Sequence, residues 1–317
     1  MMVTHRLVVL GRFLLIPMVL SGCAAFNQTH EEVVVREPGT RLLGKPFPNQ
    51  GEAKTHWQYA WLADAAYAHA VNGEDKDICQ ATSADLVVAK HGWTRWTHFP
   101  IPNGHLDSVM QTSHLRAEVW ENRDLKQVVV AFGGTEFKSG KDWKSNFRWL
   151  TFRVDDEYTR LVRDFAPAFV QEYSDRARSE LGGWLNSAKL ITTGHSLGGG
   201  LAQQFAYALP DSPEHVRVRQ VYAFDPSPVT GFFSVDPTVR DVNRVGLSVD
   251  RIYERGEILA LLRSFTSLFV QPSAENPTIR GVRYSLLNGG NAVANHSMHD
   301  FACAIQKASG MYVDDLL

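Results

Sequence analysis

A chain of 317 residues, 44% hydrophobic and 21% charged, carries enough apolar material to bury a large core, most simply as one α/β domain with excursions. Its formal net charge of −2 gives no electrostatic case for nucleic acid or any other polyanion as a partner.

At the amino terminus His5, Arg6 and Arg12 precede the apolar run Phe13 to Leu20, which is too short to span a bilayer and has the shape of a secretory signal. The run closes in Leu20-Ser21-Gly22-Cys23, which resembles the lipobox of bacterial lipoproteins. That resemblance implies a signal peptide over residues 1–22 and a mature chain that begins at a lipid-modified Cys23. The protein would then sit in the bacterial cell envelope, lipid-anchored, and Ala24 after the cysteine leans toward the outer membrane, facing the periplasm. An ordinary signal peptide with a chance cysteine is the alternative. Cys79 and Cys303 then remain, and in an oxidising compartment they either pair or stay as thiols.

Residues 23–51 are polar, contain Pro38, Pro46 and Pro48 and show no sustained period, so they read as a tether, with the folded domain spanning 52–317. Apolar residues at 57, 61, 62, 65 and 66 predict a helix with one buried face. Residues 72 to 126 are less patterned, with possible strands at Asp85 to Ala89 and Ala117 to Trp120. His91, His98, His105 and His114 lie in this region without the tight spacing of a metal site, so no metal is expected from them.

Gln127 to Phe132 is a continuous apolar run of the kind buried on both faces in a parallel sheet, and it ends in Gly133-Gly134-Thr135. The following segment, rich in Phe, Trp and basic residues up to Phe152, reads either as a flap over an apolar site or as a helix packed on the sheet. Asp156 to Leu181 has the clearest helical period in the chain, with Pro167 expected to kink it. Strands are expected at Arg217 to Phe224, Asp250 to Glu254 and Val282 to Leu287, the last followed by the turn Asn288 to Asn291 and a carboxy-terminal helix opening near His296.

Within this frame Lys189 to Leu201 runs from a β-branched stretch through Gly194-His195-Ser196-Leu197-Gly198 into a helix-prone segment. The pattern Gly-x-Ser-x-Gly at a strand-to-helix junction suits a nucleophile on a sharp, strained turn, with glycines leaving room for close approach. The Leu197 N–H at the start of the helix could face a developing oxyanion, and Thr135, behind its glycine pair, could supply the second donor. A strand, a long helix and a second strand form a crossover unit that places Ser196 at a strand's carboxyl end, where open α/β sheets carry their sites.

Val129 to Thr135, then Asp142-Trp143, then Gly194 to Gly199 together resemble the class 3 lipases, over roughly residues 57 to 305. The resemblance implies an α/β-hydrolase fold, a mostly parallel central sheet with helices on both faces. It also implies that Ser196 is the nucleophile and that Thr135 and Leu197 line the oxyanion hole. The segment Arg251 to Leu259 would carry the acid, and a His-x-Leu/Met-x-x-aromatic pattern, met by His296, Met298 and Phe301, would carry the base. Two residues depart from the family: Gly133 stands where arginine is usual, and Glu257 where aspartate is usual. Glu257 is the first choice of acid, with Asp225 and Asp250 open beside it, and His299 stands behind His296 as base.

The expected activity is a serine ester hydrolase acting on acyl lipids, a lipase or phospholipase with a Ser-His-acid triad and no metal or organic cofactor. Its partners would be an acyl lipid or ester substrate and a membrane reached through the anchor. A non-catalytic envelope lipoprotein using the same fold as a binding module, and a lipid acyltransferase using the same serine, are the alternatives. Oligomeric state is not legible.

Overall fold

The computed structural model describes residues 32–40, 44–67, 82–134, 154–257, 259, 272–287, 292 and 294–311. The expected signal peptide, Cys23, Cys79, the aromatic segment 137–152, the expected turn 288–291 and most of the apolar stretch Leu259 to Val270 lie outside them.

Among the described residues the strands β1 (Val33–Arg36), β2 (Lys45–Pro46), β3 (Thr94–Arg95), β4 (Ala117–Asn122), β5 (Gln127–Phe132), β6 (Lys189–His195), β7 (Val218–Phe224), β8 (Ser248–Glu254) and β9 (Thr278–Tyr284) form one sheet. Its order is β2-β1-β9-β8-β7-β6-β5-β4-β3. Pairs from β5 through β9 are parallel, and the outer strands on both sides join antiparallel. Successive residues of the central strands belong alternately to two cores, Val128, Val130 and Phe132 to one and Val129 and Ala131 to the other. A strand buried on both faces has no use for polar residues on either, hence the unbroken Val-Val-Val-Ala-Phe.

One core lies under α5 (Ala166–Arg178) and α6 (Leu197–Ala208), the other under α1 (Asn49–Ala65), α2 (Ala84–Lys90) and α8 (Met298–Ala308). With α3 (His105–Ser113), α4 (Val154–Arg160) and α7 (Pro237–Asn243), the helices cover both faces of a mostly parallel sheet, an α/β-hydrolase arrangement. Among the described residues no helix is long and apolar enough to cross a membrane. Cys303, on α8, is disulfide-bonded, its partner outside the described residues.

Four expectations change. The tether expected over residues 23–51 contributes β1, β2 and the first turn of α1. Its Val33-Val34-Val35 run is buried and pairs between β2 and β9, so a short apolar segment that looks patternless alone is a strand of the sheet. Asp85 to Ala89, expected as a strand, lies in α2: Ala84, Val87 and Val88 are its buried residues, a helical i, i+3, i+4 spacing. The expected kink at Pro167 is a π-turn over Leu161–Phe165 that precedes it. Proline offers no N–H and its ring collides with the carbonyl four residues back, and the widened turn accommodates both before α5 begins. The last strand starts four residues earlier than the apolar run suggested, because Arg280 within it is paired rather than solvated.

That pairing joins α1 to the sheet. Arg280 donates through Nε to Asp250 Oδ1 and through Nη2 to Asp250 Oδ2, both at 2.7 Å, and also reaches the Glu52 carboxylate of α1. The fully buried His56 of α1 lies 3.2 Å from Asp250 Oδ2 through Nε2 and 2.8 Å from the Tyr284 hydroxyl through Nδ1. Burial alone would raise the Asp250 carboxyl, but the Arg280 and His56 hydrogen bonds outweigh it and bring it down to about 2. Asp250, one of the open choices of acid, is therefore engaged in structure. Asp250→Asn leaves Arg280 and His56 without their shared charge and is expected to cost about 3–5 kcal/mol in denaturant unfolding. Because the folded value lies below the ordinary 3.8, the stabilisation from Asp250 is present above that value and lost as pH falls toward 2. The acid limb of the wild-type stability curve should flatten in the variant.

Candidate active site

β6 delivers its last residue, His195, to Ser196, which has φ 57° and ψ −122°, and α6 starts at the next residue. A serine in that region of backbone space is strained, and the surroundings fix it there. Its N–H donates to the Phe224 carbonyl at the end of β7, and its carbonyl accepts from Ser227, Gly199 and Gly200. Close packing explains the framing glycines: a Cβ on Gly198 would stand 2.1 Å from the Phe132 carbonyl oxygen, and one on Gly194 would stand 2.3 Å from the Gly198 oxygen. The first turn of α6 thus presses directly on the end of β5. Leu197, as the first residue of α6, has no carbonyl acceptor within the helix for its N–H.

Thr135, the expected second oxyanion donor, lies outside the described residues. Gly133 and Gly134 before it are placed, and a side chain at Gly133 would meet the Ala66 carbonyl at 2.5 Å. The end of α1 fills the space that the arginine usual at this position would need.

His296 closes a short 3₁₀ turn, Ala294–His296, just ahead of α8, whose first turn is capped by the Ser297 hydroxyl. Its Nδ1 is 2.8 Å from Glu257 Oε2, and both side chains are buried. Glu257 is held in turn, since the same oxygen accepts the Leu259 N–H at 2.8 Å. The chain reaches Glu257 from β8 through a turn in which Gly256 takes φ 74°. The ring of His296 lies 4.5 Å from the ring of His195, centroid to centroid, which brings it beside the residue that precedes Ser196. His299 faces elsewhere: its Nδ1 is 2.7 Å from Asp64 Oδ2 on α1, and Trp61 packs edge-on against its ring.

Asp225 follows β7, fully buried and at φ 37°. Its N–H donates to Ile252, and its Oδ1 accepts the Glu254 N–H at 3.0 Å. One donor atom each of His195, Asp225 and His296 lie within 4.8 Å of one another. Two carboxylates, Glu257 in contact and Asp225 close by, therefore attend one imidazole. His195 is itself oriented by Tyr67, whose hydroxyl is 2.8 Å from its Nδ1.

Two groups at this end of the sheet carry no motif. Tyr67, just past the end of α1, is a buried aromatic that only the fold sets against the elbow. Glu254 ends β8 fully buried, and both of its oxygens accept from the Leu286 N–H while Oε1 also accepts from Leu287. It thereby fixes the start of the connection that runs from β9 to His296.

Burial pushes the Glu254 carboxyl up to about 7, against the lowering effect of the Leu286, Leu287 and Arg255 backbone hydrogen bonds and the Arg283 charge. A folded value above the ordinary 4.5 means that this group's contribution to stability is fully present below pH 4.5 and is lost as pH rises through about 7. Glu254→Gln removes the titration. Thermal unfolding of the variant between those limits should lose that downward slope.

Residues 58–212 match the family model described as phospholipase-like, the Tle-like phospholipase domain. No curated protein matches the chain. Among solved structures, the chain is similar to the lipase from Rhizopus microsporus var. chinensis, at 18% identity over 78% of this chain and 74% of that one, with a TM-score of 0.42. It is also similar to lipase II from Rhizopus niveus, at 16% identity over 78% and 86% of the two chains, with a TM-score of 0.40. The Rhizomucor miehei lipase propeptide complex shares 16% identity over 73% of this chain and 67% of that one, again with a TM-score of 0.40. The chain has an α/β-hydrolase fold, and the phospholipase-like match over residues 58–212 supports a carboxylic ester hydrolase.

Proposed function

We propose that Ser196, His296 and Glu257 form the catalytic triad of this serine lipase or phospholipase, with phospholipids as the substrate class. The observation that carries the reading is the 2.8 Å contact between His296 Nδ1 and Glu257 Oε2, made where the His296 ring packs against the residue preceding Ser196. An ionised carboxylate only accepts, so Nδ1–H donates to Glu257, and Nε2 is the nitrogen that takes the serine proton.

Ser196 Oγ attacks the ester carbonyl as its proton passes to His296, and Glu257 stabilises the resulting imidazolium. The carbonyl oxygen becomes an oxyanion, held by the Leu197 N–H at the start of α6 and by Thr135. His296 then protonates the leaving alcohol, and the acyl group stays on Ser196. Water, deprotonated by His296, attacks the acyl-enzyme, releases the fatty acid and restores the serine. The Tle-like phospholipase match supports a phospholipid over a triacylglycerol or a small ester.

The location follows from the amino terminus in the same reading: a lipoprotein of the bacterial cell envelope, processed before Cys23, anchored by lipid in the outer membrane and facing the periplasm. The disulfide at Cys303 supports an oxidising compartment.

The test combines active-site labelling with product analysis. Wild-type protein should react with a fluorophosphonate probe at Ser196 and release fatty acid and lysophospholipid from phospholipid vesicles faster than fatty acid from a triacylglycerol emulsion. Ser196→Ala should lose both reactions, with kcat down by about 10⁶-fold. Glu257→Gln should keep KM and lose kcat by about 10⁴-fold. Absence of labelling in folded protein would mark a binding module, and acyl transfer to an added alcohol in place of hydrolysis would mark an acyltransferase.

A further inference from the structure

We propose that His195, Asp225 and His296 form a binding site for a zinc-type divalent ion, and that the ion stops hydrolysis by taking the imidazole of His296. The second half of the statement rests on the triad reading above; the first half does not.

The three donors lie within 4.8 Å of one another, and all three residues are buried. They come from three separate parts of the chain: the end of β6, the residue after β7 and the turn before α8. Their convergence is therefore a product of the fold and not of local spacing. Two imidazoles and a carboxylate are a ligand set for zinc and its transition-metal neighbours, whereas magnesium and calcium take oxygen ligands.

Each ligand also has the outer contact that metal sites require. Zinc-binding histidines are held at the far ring nitrogen by a carboxylate or another oxygen, which fixes the ring and its tautomer. His296 has Glu257 at 2.8 Å from Nδ1, and His195 has the Tyr67 hydroxyl at 2.8 Å from Nδ1. Asp225 is fixed through the Glu254 N–H at 3.0 Å. Nε2 of each ring is then the atom offered to an ion. The Asp225 and Glu257 carboxylates together offset the charge of a dication.

Size agrees as well. Zinc binds nitrogen and oxygen at about 2.0–2.2 Å, so ligands on one tetrahedral ion stand roughly 3.4 Å apart. From a spread of at most 4.8 Å, the side chains need to draw in by about an ångström, within reach of small χ rotations. Water fills the fourth position. With the ion in place His296 no longer accepts the Ser196 proton, so occupancy lowers the rate and leaves substrate affinity alone. At a free zinc concentration ten times Kd, the rate should fall by about tenfold.

The experiment titrates zinc chloride into the full chain carrying Ser196→Ala in a calorimeter, and cobalt chloride into the same protein with visible absorption as the readout. The expected result is one ion per chain with micromolar or tighter affinity and tetrahedral cobalt bands. His195→Asn and, separately, Asp225→Asn should weaken binding by at least tenfold, with circular dichroism confirming that each variant is folded. Phospholipid hydrolysis by the wild-type protein should fall in step with the calorimetric isotherm and return on adding EDTA. Absence of binding, or binding equally tight in both folded variants, overturns the site and leaves His195 and Asp225 as structural neighbours of His296. Normal binding in a protein that never hydrolyses esters upholds the site and overturns the triad reading instead.

Discussion

The contact between the first turn of α6 and the end of β5 sets the geometry of everything around it. No side-chain atom fits between the Gly198 backbone and the Phe132 carbonyl, so helix and strand meet backbone to backbone. That closeness holds Ser196 at a positive φ and brings the leading end of α6 to the place where β5 hands over to the glycine pair. A strained serine is tolerated because the sheet on one side and the helix on the other leave it no alternative, and its own N–H and carbonyl are both bonded to neighbouring elements.

Around this fixed point the carboxyl ends of the parallel strands deliver the rest. Strands β7 and β8 end in Phe224 and Glu254, and the residues that follow, Asp225 and Glu257, bring their carboxylates toward His296. Glu254 ties the chain leaving β9, and Asp64 on α1 holds His299 one turn beyond His296. The buried charges at this end are thus shared among loop backbones and rings, whereas Asp250, near the start of β8, faces Arg280 and His56. The acid that braces α1 against the sheet is thus kept apart from the acids gathered around His296.

The sequence showed the central strands and the elbow because their requirements are local: residues buried on two faces must be apolar, and a strained turn pressed on by a helix must be framed by glycine. It showed less where the requirement was supplied by distant neighbours. Val33 to Val35 is too short to signal a strand until β9 provides its edge. Asp85 to Ala89 has enough β-branched content to look extended, and only the packing of Val87 and Val88 beside α1 fixes it as helix. Glu257 stands first by its position in the family pattern, and its contact with His296 depends on a turn through Gly256 that no periodicity reveals. Tyr67 and Glu254 carry no local pattern that marks them as parts of the site: one is a buried aromatic just past α1, the other one of several charged residues in β8.

The antiparallel pairing of Val33–Arg36 with β9 has a mechanical side. It stitches the chain into the body of the protein only ten residues after Cys23, where an acyl anchor would sit. Ten residues drawn taut reach about 35 Å. On a leash that short, the enzyme would graze the leaflet that holds it and have little access to lipid elsewhere.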